Sequence, residues 1–455
     1  MKKNIINSVF GLAVASLMLT ACSSTDEVAT APAATTPEAS ETPINFGAYM
    51  NRTTTRGGYE GELTLDALKA ADTGFGVMSY YTDNQPYTPN ATPNFMYNQQ
   101  VTYDTDHWKY SPLKYWPNEF GEEAVSTGLD RLSFFAYAPY VAVDPVTGYA
   151  LPEEDPITGD PIVKDYGIVG MTRSAENGNP KVRYYVNLDP SKQVDLCWAT
   201  PWLDYSKQPA DPNIKFEFSH ALSSLNVQVD AKFDNGGTLD PNTRIWVRSV
   251  TFEGLALKGE LNLNNFGTDP EWNDLYSNGL LIGEPVTIYD GRRDGREGYA
   301  EMPNEKPIAI NAKLVQSEPY EHNGTAFTKP DPDQQPGVTT TAVNLFEGAA
   351  NATDPVYVIP TGQQLRINIV YDVETYDASL TSSYLSDTES HGISVENNIT
   401  KVVELAANSP ITLKAGKKYT VQLHLGMTSV KLDVKEEDFG WVAGDTGNTD
   451  LPANN

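Results

Sequence analysis

Short apolar runs with a period of two residues constrain the fold of this chain more than any other feature. Clear examples lie at 44–50 and 365–371, where every second residue is apolar. Successive side chains of a β-strand point to opposite faces, so such runs predict strands with one buried face. Gly, Pro, Asn and Asp separate the runs, and no long helical period accompanies them. The sequence therefore predicts an all-β protein.

The predicted strands form two series on either side of Asn235-Gly236-Gly237, the strongest break in the middle of the chain. Each series suits an antiparallel sandwich with one buried face per sheet, which predicts two β-sandwich domains, 44–236 and 237–455. Inside 214–230 the apolar parity changes near Ser223, which predicts a bulge, a bend or a short turn. The intervals 141–180, 264–285 and 290–355 are rich in turn residues and are predicted to be surface loops.

The first 21 residues have the three parts of a secretion signal. Two lysines precede an apolar stretch at 9–19, which ends on Leu19-Thr20-Ala21-Cys22. The stretch is too short to cross a bilayer, which takes about 20 apolar residues. The tetrad resembles the lipobox of bacterial lipoproteins, and this resemblance implies a lipid-modified, palmitate-bearing Cys22 after removal of residues 1–21. The alternative is an ordinary cleaved signal with a chance cysteine.

Residues 22–43 are predicted to be a flexible tether, because Ser, Thr, Ala, Pro and acidic residues cannot bury enough surface to fold. Removing residues 1–21 takes away two lysines and no acidic residue, so the net charge moves from -28 to about -30. Such an acidic surface argues against nucleic acid and against anionic membrane surfaces as partners.

The sequence offers no arrangement typical of an enzyme, a metal site or a cofactor site. The five histidines are not paired at metal-ligand spacing, and the common zinc, nucleophile and phosphate-binding motifs do not occur. Cys197 is predicted to be a buried, inert strand residue, and His220 to be a core histidine on an apolar strand face. Tyr80, Tyr81 and Tyr87 could stack on sugars, but such residues more often belong to a sandwich core or edge.

Several motifs, taken in their order and spacing, resemble the fimbrillin-like family of Bacteroidales. They lie at 94–99, 108–110, 114–117, 132–139, 216–222 and 413–421, and Trp441 fits the terminal pattern. The resemblance covers essentially residues 44–445. It implies two transthyretin-like (immunoglobulin-like) domains in a subunit or accessory component of a surface pilus, carried to the outer membrane as a lipoprotein and acting in cell adhesion. Its implied partners are other pilus subunits, in a homopolymer or a heteropolymer, and an unidentified host or bacterial ligand.

The resemblance also implies assembly by donor-strand exchange after an arginine-specific cut removes the first strand. The segment 44–50 suits that role, because Ile44, Phe46, Ala48 and Met50 form one apolar face. The polar, doubly basic segment 51–58 follows it, with Arg56 as the preferred cut position and Arg52 as the second choice. The alternative is that both arginines are solvated loop residues in a subunit that is never cut.

The sequence defines less well which C-terminal strand would be donated to a neighbouring subunit. Val430, Leu432 and Val434 alternate with polar residues, but the tail 442–455 carries few apolar residues. A strand that fills a neighbour's groove needs alternating apolar side chains. Either the strands before the tail donate, or the protein occupies a tip or accessory position and donates nothing. The competing interpretation is a surface glycan-binding lipoprotein of a nutrient-uptake system.

Overall fold

A computed structural model describes most of the chain between Pro43 and Asp438. The described ranges are 43–50, 63–70, 73–116, 130–155, 157–205, 213–231, 243–277, 284–290, 308–310, 342–346, 349–351, 353–376, 393–404, 412–425 and 430–438.

Strands dominate these ranges, as the period-two runs predict. In chain order the first are β1 (Asn45–Met50), β2 (Phe75–Tyr81), β3 (Met96–Asp104), β4 (His107–Lys109), β5 (Leu132–Ala138), β6 (Glu153–Glu154), β7 (Pro161–Ile162), β8 (Gly167–Met171), β9 (Lys181–Tyr185), β10 (Cys197–Ala199), β11 (Trp202–Tyr205), β12 (Asn213–His220) and β13 (Ser223–Ala231). The others are β14 (Thr243–Glu253), β15 (Lys258–Asn262), β16 (Glu271–Tyr276), β17 (Val286–Asp290), β18 (Ile308–Ile310), β19 (Val343–Asn344), β20 (Val356–Val358), β21 (Arg366–Tyr376), β22 (Ile393–Glu404), β23 (Lys417–Leu425) and β24 (Val430–Asp438).

Helix is confined, within the described ranges, to one turn of α-helix and one turn of 3-10 helix. The α-helix α1 spans Leu65–Leu68 and begins after Thr64, whose hydroxyl accepts a hydrogen bond from the Ala67 N–H at 3.1 Å. Thr is a favoured residue at this position because its side chain satisfies an N–H that the helix leaves without a partner. The 3-10 turn spans Pro190–Lys192. The prediction of an all-β protein is confirmed.

The largest sheet, sheet I, has eight strands in the order β1-β12-β10-β5-β2-β3-β4, with β11 also paired to β5. The alternating residues of β5 divide between two buried clusters, Leu132, Phe134 and Ala136 on one face and Phe135 and Tyr137 on the other. Sheet I is therefore covered on both faces. This explains why β2 and β5 are buried along almost their whole length instead of alternating between core and solvent.

Three further sheets complete the main architecture. Sheet II has the order β19-β13-β23-β24 with β20 on β13, and sheet III has the order β17-β14-β21-β22 with β18 on β14. Apolar residues of β13 and β23 in sheet II and of β14 and β21 in sheet III form one buried cluster, so these two sheets form a sandwich. Sheet IV, β16-β15-β9-β8, contributes side chains to the cluster on the second face of sheet I.

The break predicted near Ser223 is confirmed, because β12 ends at His220 and β13 begins at Ser223. The two strands belong to different sheets, β12 to sheet I and β13 to sheet II. Both have a parallel neighbour, β1 beside β12 and β23 beside β13, whereas the other described strand pairs are antiparallel. The division into two domains at 236/237 stays a prediction.

All three predicted loop intervals contain strands, and the interval 290–355 contains β18 (Ile308–Ile310) and β19 (Val343–Asn344). Gly167–Met171 forms β8 within the interval 141–180, and Glu271–Tyr276 forms β16 within 264–285. Every residue of β8 is buried, so its sequence does not alternate and gives no period-two signal. A short apolar run of this kind is recognised as a strand only once its neighbours in the sheet are known.

Glu260 on sheet IV is paired with two cationic side chains, and this arrangement predicts a pH-dependent contribution to stability. Glu260 on β15 lies 3.2 Å from Lys181 Nζ and 3.0 Å from Arg183 Nε on β9. Burial alone would raise the pKa of Glu260, but the hydrogen bonds from Arg183 and Lys181 outweigh it and lower the pKa. A carboxyl group with a lowered pKa stabilises the fold above its unfolded pKa, about 4.3 for Glu, and this contribution is lost as pH falls through the folded pKa.

We therefore expect Glu260→Gln to lower the free energy of unfolding most near neutral pH. The difference from wild type should shrink below about pH 4, where the carboxyl group is increasingly protonated in both states. Urea unfolding at a series of pH values measures this. Glu253→Gln is the matched control, because Glu253 lies 3.4 Å from Arg366 in a more exposed pair. Parallel pH profiles for the two variants would contradict the prediction.

Candidate functional site

The first strand fills a groove at the end of sheet I. The four residues predicted to form its apolar face are all buried, with exposed fractions of 0% for Ile44, 5% for Phe46, 6% for Ala48 and 8% for Met50. They belong to the buried cluster on one face of sheet I, together with side chains of β2, β5 and β12. The predicted apolar face of the first strand is therefore part of the core of the protein.

Phe46 lies at the centre of this groove. Its ring is 5.2 Å from the ring of Tyr110, 5.8 Å from that of Phe216 and 6.0 Å from that of Phe134, measured between centroids. The Phe216 ring is stacked on it and the Phe134 ring meets it edge-on, which are the arrangements that aromatic pairs prefer. The three rings come from β5, β12 and the segment after β4, so Phe46 joins parts of the chain that are distant in sequence.

The backbone of β1 is held on one side by β12. The two strands run parallel, with Asn45 opposite Asn213 and Met50 opposite Phe218. β1 is the terminal strand of the described order of sheet I, so its removal breaks no ladder between other strands. Its removal would, however, leave the N–H and C=O groups along the edge of β12 open to another extended segment.

At the beginning of β1, the segment that follows β4 holds the other side. The Ile44 N–H donates to the Lys114 carbonyl at 2.9 Å, and the Tyr110 hydroxyl donates to the Ile44 carbonyl at 2.9 Å. Burial raises the pKa of Tyr110 to about 12, although the hydrogen bond from the Lys114 backbone acts in the opposite direction. The phenol therefore keeps its proton at neutral pH and can donate a hydrogen bond to the strand.

The other residues predicted for processing and anchoring lie outside the described residues. Arg52 and Arg56 fall between Met50, where β1 ends, and Leu63, where the description resumes, and Cys22 precedes Pro43. No helix among the described residues is long and apolar enough to cross a membrane.

A second polar cluster is buried near the end of β12. Asp195 Oδ2 lies 2.5 Å from His220 Nδ1, and Cys197 Sγ lies 3.4 Å from the same nitrogen. All three side chains are buried, which agrees with the predicted core positions of Cys197 and His220. The sequence does not reveal the cluster, because Asp195 and His220 are distant in the chain and meet only through the pairing of β10 with β12.

The geometry of this cluster is that of a hydrogen-bonded group. Two ligands of one tetrahedral zinc ion, each about 2.0–2.2 Å from the metal, would lie roughly 3.3 Å apart, well beyond the distance between Asp195 and His220. A Cys–His–Asp catalytic arrangement uses both ring nitrogens of the histidine, one for each partner. Here Asp195 and Cys197 both face Nδ1 of His220. The cluster therefore resembles neither a metal centre nor a nucleophile with its base.

Sheet II contains a comparable buried pair. Asp230 on β13 and His424 on β23 lie opposite each other in the parallel register, and an Asp230 carboxylate oxygen is hydrogen-bonded to His424 Nδ1. The second carboxylate oxygen accepts a hydrogen bond from Gln422 Nε2 at 3.1 Å. These polar contacts fix the register of β13 and β23, because a shift of one residue would separate the two groups.

Two of the three tyrosines considered for sugar stacking have structural roles, and so do two exposed acidic residues, Glu153 and Asp155. Tyr80 and Tyr87 are buried, and their rings pack on Phe135, so they belong to the core and not to an exposed sugar-stacking surface. Glu153 pairs with Lys164 at 2.6 Å on an exposed hairpin. The Asp155 carboxylate accepts hydrogen bonds from the N–H groups of the turn that follows it.

With the fold and the first-strand groove defined, the chain can be compared with known proteins. Residues 63–274 match the sequence model of the family described as fimbrillin-like, and the resemblance predicted from the sequence is confirmed. The fimbrium subunit Fim1C of Phocaeicola vulgatus is 25% identical over 396 residues, 84% of each chain. The crystal structure of a fimbrial protein from Bacteroides vulgatus aligns over 87% of this chain and 99% of that one, with 22% identity and a TM-score of 0.49.

Proposed function

We propose that this protein is a component of a surface pilus that acts in cell adhesion, in a tip, accessory or stalk position. The fimbrillin-like match and the similarity to a fimbrium subunit support this function. Its partners are other pilus subunits, and its location is the cell-surface fimbrium. A catalytic role forms no part of the proposal, because the match is to a family of fimbrial proteins.

Donor-strand exchange at the β1 groove is the proposed route of assembly. One observation carries it: β1 is terminal in sheet I, yet its four apolar side chains are buried in the core. Loss of β1 would expose the rings around Phe46 and the edge of β12, and only a new strand with alternating apolar side chains would cover both. The incoming strand replaces the same contacts, which gives each junction the stability of a folded core.

The export part of the proposal concerns the N-terminal residues. Residues 1–21 direct export, Cys22 carries the lipid, and residues 22–43 connect the lipid to the folded chain. The lipid then holds the protein at the outer membrane until a cut at Arg56 or Arg52 releases it for assembly. We also propose two sandwich domains, 44–236 and 237–455.

Arg56→Ala tests the processing step, with Arg52→Ala as the matched control. In cells of the native host, Arg56→Ala should keep the larger precursor mass and lose the ladder of polymers on an unboiled gel. Arg52→Ala should give the mature mass and the ladder of the wild type. The cleavage proposal is wrong if Arg56→Ala leaves both the mass and the ladder unchanged.

A further inference from the structure

Leu63 is the first described residue after the segment that carries Arg52 and Arg56, and its backbone is fixed by a buried carboxylate. The Leu63 N–H donates to Asp195 Oδ2 at 2.9 Å, a contact between residues 132 positions apart in the chain. Leu63 itself is only 7% exposed and packs in the cluster that contains β1. A hydrogen bond from a backbone N–H to a carboxylate is stronger than one between neutral groups.

Asp195 is itself held in place by the end of β12. The same oxygen that accepts from Leu63 lies 2.5 Å from His220 Nδ1, and His220 is the last residue of β12. Met50, where β1 ends, lies opposite Phe218, two residues before His220. The chain therefore leaves the end of β1 and returns at Leu63 beside the same end of β12.

Two hydrogen bonds hold the chain after Leu63 without involving β1, and Leu68 of α1 also packs in the buried cluster that contains β1. The Thr64 hydroxyl caps α1, and the Leu68 side chain is fully buried. The Leu68 carbonyl accepts a hydrogen bond from the Gly74 N–H at 3.1 Å. By contrast, β1 is held by its ladder with β12, by the Lys114 and Tyr110 contacts and by the packing of its apolar face. A break between Met50 and Leu63 thus separates two pieces with different attachments.

From this geometry we infer that Asp195, oriented by His220, is the positioning residue that keeps the chain in place from Leu63 onward when the segment before it is cut. The inference rests on the proposed processing between β1 and Leu63. Asp195 sets the boundary of the part that can leave: β1 is released, whereas α1 and the strand that follows it remain in the fold.

Hydrogen exchange of the full-length, uncut chain tests the role of Asp195, with the exchange of the peptide 63–70 followed by mass spectrometry. Asp195→Ala should accelerate exchange at the protected amides of 63–70, including Leu63, roughly ten- to a hundredfold, as expected for loss of a hydrogen bond to a charged acceptor. Asp204→Ala is the matched control, because Asp204 Oδ1 accepts from the Tyr87 N–H at 2.7 Å across a similar sequence distance. This control should accelerate exchange near Tyr87 and leave 63–70 unchanged.

Asp195→Asn serves if the alanine variant does not fold, because the amide keeps an acceptor oxygen of the same shape but removes the charge. It should accelerate exchange in 63–70 by a smaller factor than loss of the acceptor would, with no change near Tyr87. Wild-type exchange of 63–70 in a folded Asp195 variant would overturn the inference, as would equal acceleration of both regions.

A second experiment distinguishes failure of this inference from failure of the proposed function. The full-length chain is treated with an arginine-specific protease, and the exchange of 63–70 and the retention of 44–50 are measured on the product. The inference expects 63–70 to stay protected in the cut wild type and to lose protection in the cut Asp195→Ala. If β1 cannot be displaced from the cut chain by an excess of a peptide with the sequence 44–50, the proposed strand exchange fails, whatever the result for 63–70.

Discussion

Replacing Phe46 with alanine is expected to lower the free energy of unfolding by about 3–5 kcal/mol, the usual loss for a buried phenylalanine. The ring contacts those of Tyr110, Phe134 and Phe216, which cannot close the space without moving three separate parts of the chain. The cost combines lost burial of apolar surface with the cavity that remains. Urea unfolding followed by circular dichroism measures the change.

Tyr49→Ala is the matched control for Phe46→Ala. Tyr49 lies on the same strand but on the opposite face, is half-buried, and is not part of the cluster around Phe46. Its loss should cost well under half as much. Equal losses for the two variants would show that the groove does not depend on the apolar face of β1, and the account of β1 as a core strand would be wrong.

Breaking the buried pair in sheet II should have an effect of similar size. Asp230→Ala removes the acceptor of hydrogen bonds from His424 Nδ1 and Gln422 Nε2 in a buried position. Removing one member of a buried pair costs about 3–5 kcal/mol where the group left behind is charged, and about 1–3 kcal/mol where it is neutral. The free energy of unfolding from urea titration is again the measurement.

An exposed pair of the same chemistry provides the control. Asp106 lies 2.7 Å from His107 Nδ1, with half or more of each side chain in solvent. Asp106→Ala should leave the stability almost unchanged, because exposed pairs contribute little. A loss for Asp230→Ala no larger than for Asp106→Ala would contradict the view that the buried pair fixes β13 beside β23.

The sequence predicts much of the strand content because many strands have one buried and one exposed face. β1 and β21 show this clearly, since their alternating residues identify both the strand and its buried side. β8 was missed because it is buried on every side and so carries no alternation. The sequence also gives no information on which strands are neighbours, and the parallel pairing of β1 with β12 joins residues more than 160 positions apart.

The candidate site, like the fold, is only partly predictable from the sequence. The apolar face at 44–50 is visible in the sequence, because its residues follow one another at a spacing of two. The rings that surround Phe46 are not, since Tyr110, Phe134 and Phe216 are brought together only by the fold of sheet I. Asp195 is the clearest example: nothing in its local sequence distinguishes it from the chain's many other acidic residues. Its role depends on contacts with Leu63 and His220.

The N-terminal residue of the protein purified from the cell surface tests the central claim most directly. If β1 is removed for assembly, peptide sequencing or intact-mass measurement should place the N-terminus at Gly57, after a cut at Arg56. A start at Thr53 would move the cut to Arg52 and preserve the mechanism. An N-terminus on an acylated Cys22, with β1 still present in the assembled fibre, would contradict it.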